Sequence, residues 1–195
     1  MTRRMIKKMI IVLLFVGTSL FVQAQQLKVT VLQGQESVNA KGDRYQLQKA
    51  PFTLLIESKG IEGFLIGATL DDDVYRSAIG EADLEVAWYQ NTGMAESLFN
   101  PDQAMSINND APSYWYYTNK DDHRFDRNAI GTSSKWIAKR TITKLDVIEN
   151  EKQITLEDID RPLYLIFYTQ IYDEDYNVVD RTILFRGEIQ WNDPS

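Results

Sequence analysis

The chain has 195 residues, no cysteine, a single histidine and a formal net charge of −7. Without Cys there is no disulfide framework, thiol nucleophile or Cys-based zinc site, and one His rules out sites that need two imidazoles. An acidic chain with no basic stripe repels phosphate backbones, so nucleic-acid binding is not expected.

The first 24 residues have the order of a secretory signal peptide. Met1–Lys8 is basic, Met9–Val16 is apolar, and a small residue, Ala24, ends the segment. The apolar part is shorter than the roughly 20 residues that a membrane span requires. We therefore expect residues 1–24 to be removed and residues 25–195, with 17 basic and 28 acidic side chains and a formal charge of −11, to act in the periplasm or as a secreted protein, without a membrane span.

Alternating apolar and polar residues predict short strands along most of the remaining chain. Pro51 cannot donate to a ladder, so it separates two strands rather than lying inside one. The segment Trp136–Val147 alternates poorly and is compatible with helix or strand. The predicted strands are Leu27–Val31, 44–49, 52–58, Phe64–Leu70, Leu84–Tyr89 and Leu163–Tyr172.

The C-terminal region predicts an antiparallel hairpin. Leu163–Tyr172 is apolar on both faces, which is typical of a central strand. An acidic turn at 173–177 leads into a run whose alternation is broken by Leu184, and Arg181 interrupts its apolar face near the turn. That face is expected to carry Val179, Ile183, Phe185, Ile189 and Trp191.

Short strands with little helical periodicity favour an all-β fold. The specific expectation is an antiparallel two-layer β-sandwich, Ig-like in general architecture, formed by residues 25–195 as one domain. Two small β subdomains split near residue 100 are the alternative. Two helical pieces are expected, at Met94–Phe99 and as one turn at Thr155–Asp158, which has capping-box spacing.

The long irregular middle segment, residues 90–134, contains an unusual aromatic run. In a loop, these aromatic rings would form a platform for sugar rings, with Arg124 bonding the hydroxyls. The alternative is a strand that uses aromatic residues for packing. The candidate ligand-binding residues are Tyr114, Trp115, Tyr116, Tyr117 and Arg124.

Catalytic and metal motifs are weak. His123 lies beside carboxylates and is a candidate general base, but no G-x-S-x-G nucleophile motif occurs and no nucleotide-cofactor fingerprint is present. The stretch from Asp173 begins like a calcium loop and then fails, because Val178 and Leu184 stand where Gly and Glu are needed. Asp71–Asp73 is a second acidic cluster and a candidate cation site, although such clusters usually face water. No cofactor and no metal are therefore predicted.

These observations predict an exported, non-catalytic binding or structural module of the bacterial cell envelope, with an envelope protein or a glycan as its partner. A carboxylate-dependent glycoside hydrolase is one alternative, since acidic residues are plentiful. An edge-strand adaptor, to whose sheet a partner adds a strand, is the other. Exposed backbone edge groups would favour the adaptor.

Overall fold

The protein is described by a computed structural model and is all-β, with one short helix among the described residues. The predicted leader, the predicted strand Leu84–Tyr89 and the predicted helix Met94–Phe99 lie outside those residues. Among the described residues, no helix is both long and apolar enough to span a bilayer. The structure describes residues 26–61, 63–81, 104–107, 114–118, 126–127, 135–147, 150–175 and 178–192.

The strands confirm most of the predicted positions, and Trp136–Val147 proves to hold two of them. In chain order, the strands are β1 (Gln26–Gln33), β2 (Glu36–Ser37), β3 (Arg44–Gln48), β4 (Phe52–Lys59), β5 (Gly63–Thr69), β6 (Ala104–Ile107), β7 (Tyr114–Thr118), β8 (Asp126–Arg127), β9 (Lys135–Ile142), β10 (Lys144–Val147), β11 (Lys152–Thr155), β12 (Leu163–Tyr172) and β13 (Val178–Asn192).

Three sheets are present. The first has the order β2-β1-β4-β9-β8, the second β3-β13-β12-β5-β7, and the third β11-β10-β6. Most neighbours are antiparallel, as expected, but β3 runs parallel to β13 and β6 runs parallel to β10. The fully antiparallel expectation was therefore wrong at these two pairs, whose strands are far apart in sequence and were not linked by any local pattern.

Pro51 marks the point where the chain passes from the second sheet to the first. The backbone N–H of Ala50 donates to the carbonyl of Gln48 at 2.7 Å, which closes a tight turn after β3. The side chain of Gln33 secures the same turn, because its amide accepts from Gln48 N at 2.8 Å and donates to Gln48 O at 2.9 Å. The predicted break at Pro51 is confirmed, and it joins two sheets.

The predicted hairpin of β12 and β13 is confirmed, and β12 is the central strand of its sheet. Phe167 pairs with Phe185 and Tyr168 pairs with Ile183, so Leu184 is the extra residue of a β-bulge. Phe185 packs on the main core, whereas Ile183 packs with Tyr168 on the opposite face. The expectation that Ile183 and Phe185 share one face was wrong, because the bulge reverses the alternation.

The main core is one cluster of buried apolar side chains drawn from strands of all three sheets. Phe64 and Phe167 stack at its centre with ring centroids 5.3 Å apart, and Phe52 contacts Trp191 at 6.0 Å between the first and second sheets. Other fully buried members include Leu47, Leu54, Ile56, Ile66, Met105, Leu145, Leu165 and Ile189.

The helix α1 (Asp72–Ala78) was not predicted. Asp71 is its N-cap and accepts from the backbone N–H of Val74 at 3.1 Å, while Asp72 and Asp73 occupy the first turn. The helix covers the second face of β12, where Tyr75 stacks on Tyr164 at 4.8 Å. The acidic run therefore begins a helix.

The capping-box spacing at Thr155–Asp158 does produce hydrogen bonds, but no helical turn follows. Asp158 N donates to the Thr155 hydroxyl at 3.3 Å, and that hydroxyl donates to Asp158 Oδ2 at 2.8 Å. The segment forms a bend after β11 instead, and the helical prediction was wrong because Leu156 and Ile159 are drawn into the core.

Candidate functional site

An open groove of about 510 Å³ lies where the first and second sheets meet. It is bounded by β1 on one side and by β13 on the other, with the start of β3 between them. We call this feature the edge groove. Its lining residues are Leu27, Lys28, Val29, Gly42, Asp43, Tyr45, Ile183, Leu184, Phe185 and Arg186.

The β1 wall presents backbone groups toward the groove side. Val38 N donates to Val31 O at 2.9 Å on the side of β1 that faces away from β4. Backbone groups of a strand alternate between its two edges, so Leu27 and Val29 point to the same side as Val31. Within the described part of the chain, β2 pairs only with Leu32 and Gln33, and no strand continues along that edge.

The β13 wall is also an edge along most of its length. On one side β13 pairs with β12 between Val178 and Ile189, and on the other side β3 pairs only with Glu188–Asn192. No described strand adjoins the second side of Val178–Gly187. The edge groove therefore lies between two strand edges that belong to different sheets.

The floor of the edge groove is apolar and rests on the core. Phe185 lies against Phe167, with ring centroids 5.1 Å apart, and 6.3 Å from Tyr45. A Cβ atom at Gly187 would come within 2.9 Å of the Phe185 ring, so this glycine gives the ring its room. Leu27, Val29 and Leu184 are half-buried against the same core.

Charged side chains form the rim of the groove, in pairs of opposite sign. Lys28 binds Glu57 at 2.7 Å, directly across β1 and β4. Arg186 lies 3.5 Å from Asp43 and 3.6 Å from Glu81. Burial raises the pKa of the Tyr45 phenol, and the neighbouring Asp43 adds to the effect, so its hydroxyl stays protonated at neutral pH.

The structure places the sequence-predicted ligand residues elsewhere. Tyr114, Trp115, Tyr116 and Tyr117 lie in β7, which pairs with β5 at the end of the second sheet. The backbone at these four residues is a paired strand, which is one of the two alternatives that the sequence left open. Arg124 and His123 lie outside the described residues, so a glycan site at these positions stays a prediction.

The acidic clusters serve local structure where they are described. Asp71 caps α1, and Asp173 Oδ1 accepts from Asp175 N at 3.0 Å within the hairpin turn. In the ranges that the structure describes, no group of three or more His, Asp or Glu side chains lies close enough together to hold a metal ion.

Sequence reasoning missed the residues of the edge groove. Two local signals pointed there: Leu184 breaks the alternation of its strand, and Gly187 interrupts an otherwise bulky run. Such breaks mark bulges and close approaches, which occur next to binding sites. The facing edge, at Leu27 and Val29, carried no signal because its exposure depends on which strands lie beside it.

Comparisons with known proteins give no relative from which to argue. No protein-family model matches the chain, and searches of curated proteins and of solved structures found no significant match.

Proposed function

We propose that this protein is an exported, non-catalytic binding module of the bacterial cell envelope that takes an extended segment of a partner protein into the edge groove. The observation that carries the proposal is the open backbone edge of β1 at Leu27 and Val29, placed over an apolar floor. An added strand supplies main-chain hydrogen bonds to such an edge and side chains to the pockets beside it. This is the edge-strand adaptor, with an envelope protein as the partner.

The chemical groups along the edge groove indicate what kind of segment would bind in it. Unpaired N–H and C=O groups of a strand edge are matched by another extended backbone. Side chains of a strand alternate, so every second residue of the occupant faces the floor of Tyr45, Leu184 and Phe185. The occupant is therefore an extended segment with apolar residues at alternate positions and polar residues between them, near the rim charges of Lys28 and Arg186.

The relative directions of β1, β3 and β13 indicate in which direction a bound segment would run. Gln33, at the end of β1, bonds Gln48, at the end of β3, while Leu27 and Val29 line the groove with Tyr45, near the start of β3. Thus β1 and β3 run the same way, and β13 runs parallel to β3. A strand that runs against β1 would pair with it in the antiparallel arrangement, which is the more stable one per residue.

The proposal extends to the architecture. The shared core cluster, the Phe52–Trp191 contact and the Gln33–Gln48 bonds support a two-layer β-sandwich made by the first and second sheets, with the edge groove along their open seam. The basic-apolar leader supports action in the periplasm or outside the cell.

A proline scan of β1 tests the proposal. The protein, purified after export from a bacterial host, is panned against a phage library of random 12-residue peptides, and enriched peptides are measured by calorimetry. Val29→Pro removes an N–H that points to the groove, and we expect it to weaken binding by about tenfold or more. Val29→Ala keeps that N–H and is the matched control, expected to stay within about threefold.

A second substitution separates binding from folding. The N–H of Thr30 points to β4, so Thr30→Pro should lower the free energy of unfolding by about 1–3 kcal/mol more than Val29→Pro does. NMR mapping on the unsubstituted protein adds an independent readout, with shifts expected at Leu27, Val29 and Ile183–Arg186. Enriched peptides that bind Val29→Pro as well as the parent, or that shift none of these residues, would refute the proposal.

A further inference from the structure

The edge groove is closed at one end by the connection between β2 and β3. Val38 N donates to Val31 O at 2.9 Å, which ties the start of this connection to β1. Glu188 N donates to Asp43 O at 2.8 Å, which ties the end of the connection to β13. Residues 38–43 therefore cross from the first sheet to the second, and a strand added along β1 would meet them at this end of the groove.

The open part of the β1 edge is short and stops where β2 occupies it. β2 pairs with Leu32 and Gln33, and the bond from Val38 to Val31 extends the same line by one residue. Among the described strands, this leaves Gln26–Thr30 for an added strand. β2 is antiparallel to β1, so an added strand that is also antiparallel to β1 would follow β2 in the same line and direction. Its amino end would then face Val38.

The charged side chains at the closed end are complementary to an amino group. Among the described residues that line the groove, Asp43 is the one acid, and its side chain is 51% exposed. Arg186 lies 3.5 Å from Asp43 but also 3.6 Å from Glu81, so one cation is shared between two carboxylates. Lys41 belongs to the same connection but is not among the lining residues. An ammonium group beside Asp43 would be attracted, whereas a carboxylate there would be repelled.

We propose that the edge groove binds the free amino terminus of a partner protein, with the terminal amine beside Asp43 and the first residues paired with β1. This inference rests on the proposed strand addition and adds which part of the partner is bound. A segment from the interior of a chain would have to turn away at residues 38–43, and its neutral peptide group would gain less from Asp43. Export supplies such partners, because removal of a signal peptide creates a new amino terminus.

The closed end also fixes the register of the bound segment. Val38 lies opposite Val31, so the next position along the same line, opposite Thr30, belongs to the first residue of the partner. Its second and fourth residues then lie opposite Val29 and Leu27. Residues directly opposite each other on neighbouring strands share a face, and Val29 and Leu27 pack against the core. The partner is therefore expected to carry apolar residues at its second and fourth positions, counted from the free amino terminus.

The library of random 12-residue peptides, displayed on phage with free amino termini, tests the register. We expect the enriched peptides to share apolar residues at positions two and four. An apolar motif that occurs at any place along the peptides would show that internal segments bind, and it would overturn the inference while leaving strand addition intact. Absence of any binding peptide, or binding that Val29→Pro does not weaken, would refute the proposed function and this inference with it.

Chemical changes at the amino terminus complete the test. Each enriched peptide is synthesised with a free amine, with an acetylated amine and with four additional residues in front, and we expect both changes to weaken binding by about tenfold. Asp43→Asn should weaken binding of the free-amine peptide by about tenfold and leave the acetylated peptide unaffected. Glu157→Gln, at an exposed acid that does not line the groove, is the matched control and should affect neither peptide. Equal affinity of the unsubstituted protein for all three peptide forms would overturn the inference.

Discussion

The two halves of β13 differ in their neighbours far more than in their composition. From Glu188 to Asn192 the strand pairs with β3, Glu188 and Ile189 also pair with β12, and Glu188 binds Arg44 at 2.9 Å. On its core side, Trp191 Nε1 donates to Arg161 O at 3.0 Å. From Val178 to Gly187 only β12 adjoins the strand in the described structure. The first half has a strand neighbour in β3, whereas the second half, which we call the open half, has none on that side among the described residues.

The open half carries features that restrain an exposed edge. Leu184 and Val179 are both extra residues at register shifts, where the ladder with β12 is irregular. Bulges twist an edge and discourage indiscriminate pairing with other chains. The open half is therefore less prone to indiscriminate pairing than a regular, flat edge would be.

The largest expected contrast is between a core residue and an exposed residue on the open half of β13. Phe167 is fully buried and stacks on Phe64, so Phe167→Ala should lower the free energy of unfolding by about 3–5 kcal/mol. Val179→Ala should change it by less than about 0.5 kcal/mol. Urea unfolding measures both, and comparable losses would mean that Val179 is packed as tightly as a core residue.

Gly187, at the boundary of the two halves, sharpens the comparison. A methyl group added at position 187 would lie 2.9 Å from the Phe185 ring. It would therefore push this ring out of the groove floor. We expect Gly187→Ala to cost about 1–3 kcal/mol in the free energy of unfolding and to weaken peptide binding at the edge groove. Tight binding with full stability would show that the floor does not depend on this ring position.

Stability at alkaline pH tests the packing of α1 on β12, where Tyr75 stacks on Tyr164. Burial raises the pKa of Tyr75 to about 12, and burial beside Asp72 raises the pKa of Tyr164 as well. A raised pKa in the folded state means that this stability is complete below about pH 10, the unfolded value, and is lost as the pH rises toward about 12. Tyr75→Phe should flatten the decline in urea stability over this range relative to the unsubstituted protein. Identical pH profiles would contradict the assignment.

The smallest expected effects concern ion pairs. Glu188 is mostly shielded, at 15% exposure, whereas Glu57 and its partner Lys28 are 41% and 72% exposed. Glu188→Gln should cost up to about 1 kcal/mol, and Glu57→Gln close to none, because water screens the exposed pair. Urea unfolding at two salt concentrations measures the difference. A larger loss for Glu57→Gln would reverse the ranking.

Features that depend on a few neighbouring residues could be predicted from the sequence, whereas features that depend on pairing between distant strands could not. The β12–β13 hairpin and the break at Pro51 were predictable, because strand alternation and proline geometry act over a few residues. The helix α1 was predictable in principle from its Asp71 cap, acidic first turn, Arg76 in the last turn and Gly80 beyond its end. Those acids were interpreted as a solvated or cation-binding cluster instead.

The edge groove was not predictable from local patterns. Tyr45 and Phe185 are brought together by the parallel pairing of β3 with β13, and Leu27 joins them from the other sheet, so all three are far apart in sequence. A strand edge is open when no other strand pairs with it, and no residue type within the strand encodes the lack of a neighbour. Edge and central strands differ in what surrounds them more than in their own sequence.

Amide hydrogen exchange along β1, followed by NMR, tests the central claim most directly. The amides of Lys28 and Thr30 point to β4, whereas those of Leu27 and Val29 point to the groove. We predict that Val29 exchanges at least about 100-fold faster than Thr30 in the free protein, and that a bound peptide removes the difference. Equal, slow exchange at Leu27, Lys28, Val29 and Thr30 in the free protein would mean that this edge is already paired, and would contradict the proposed function.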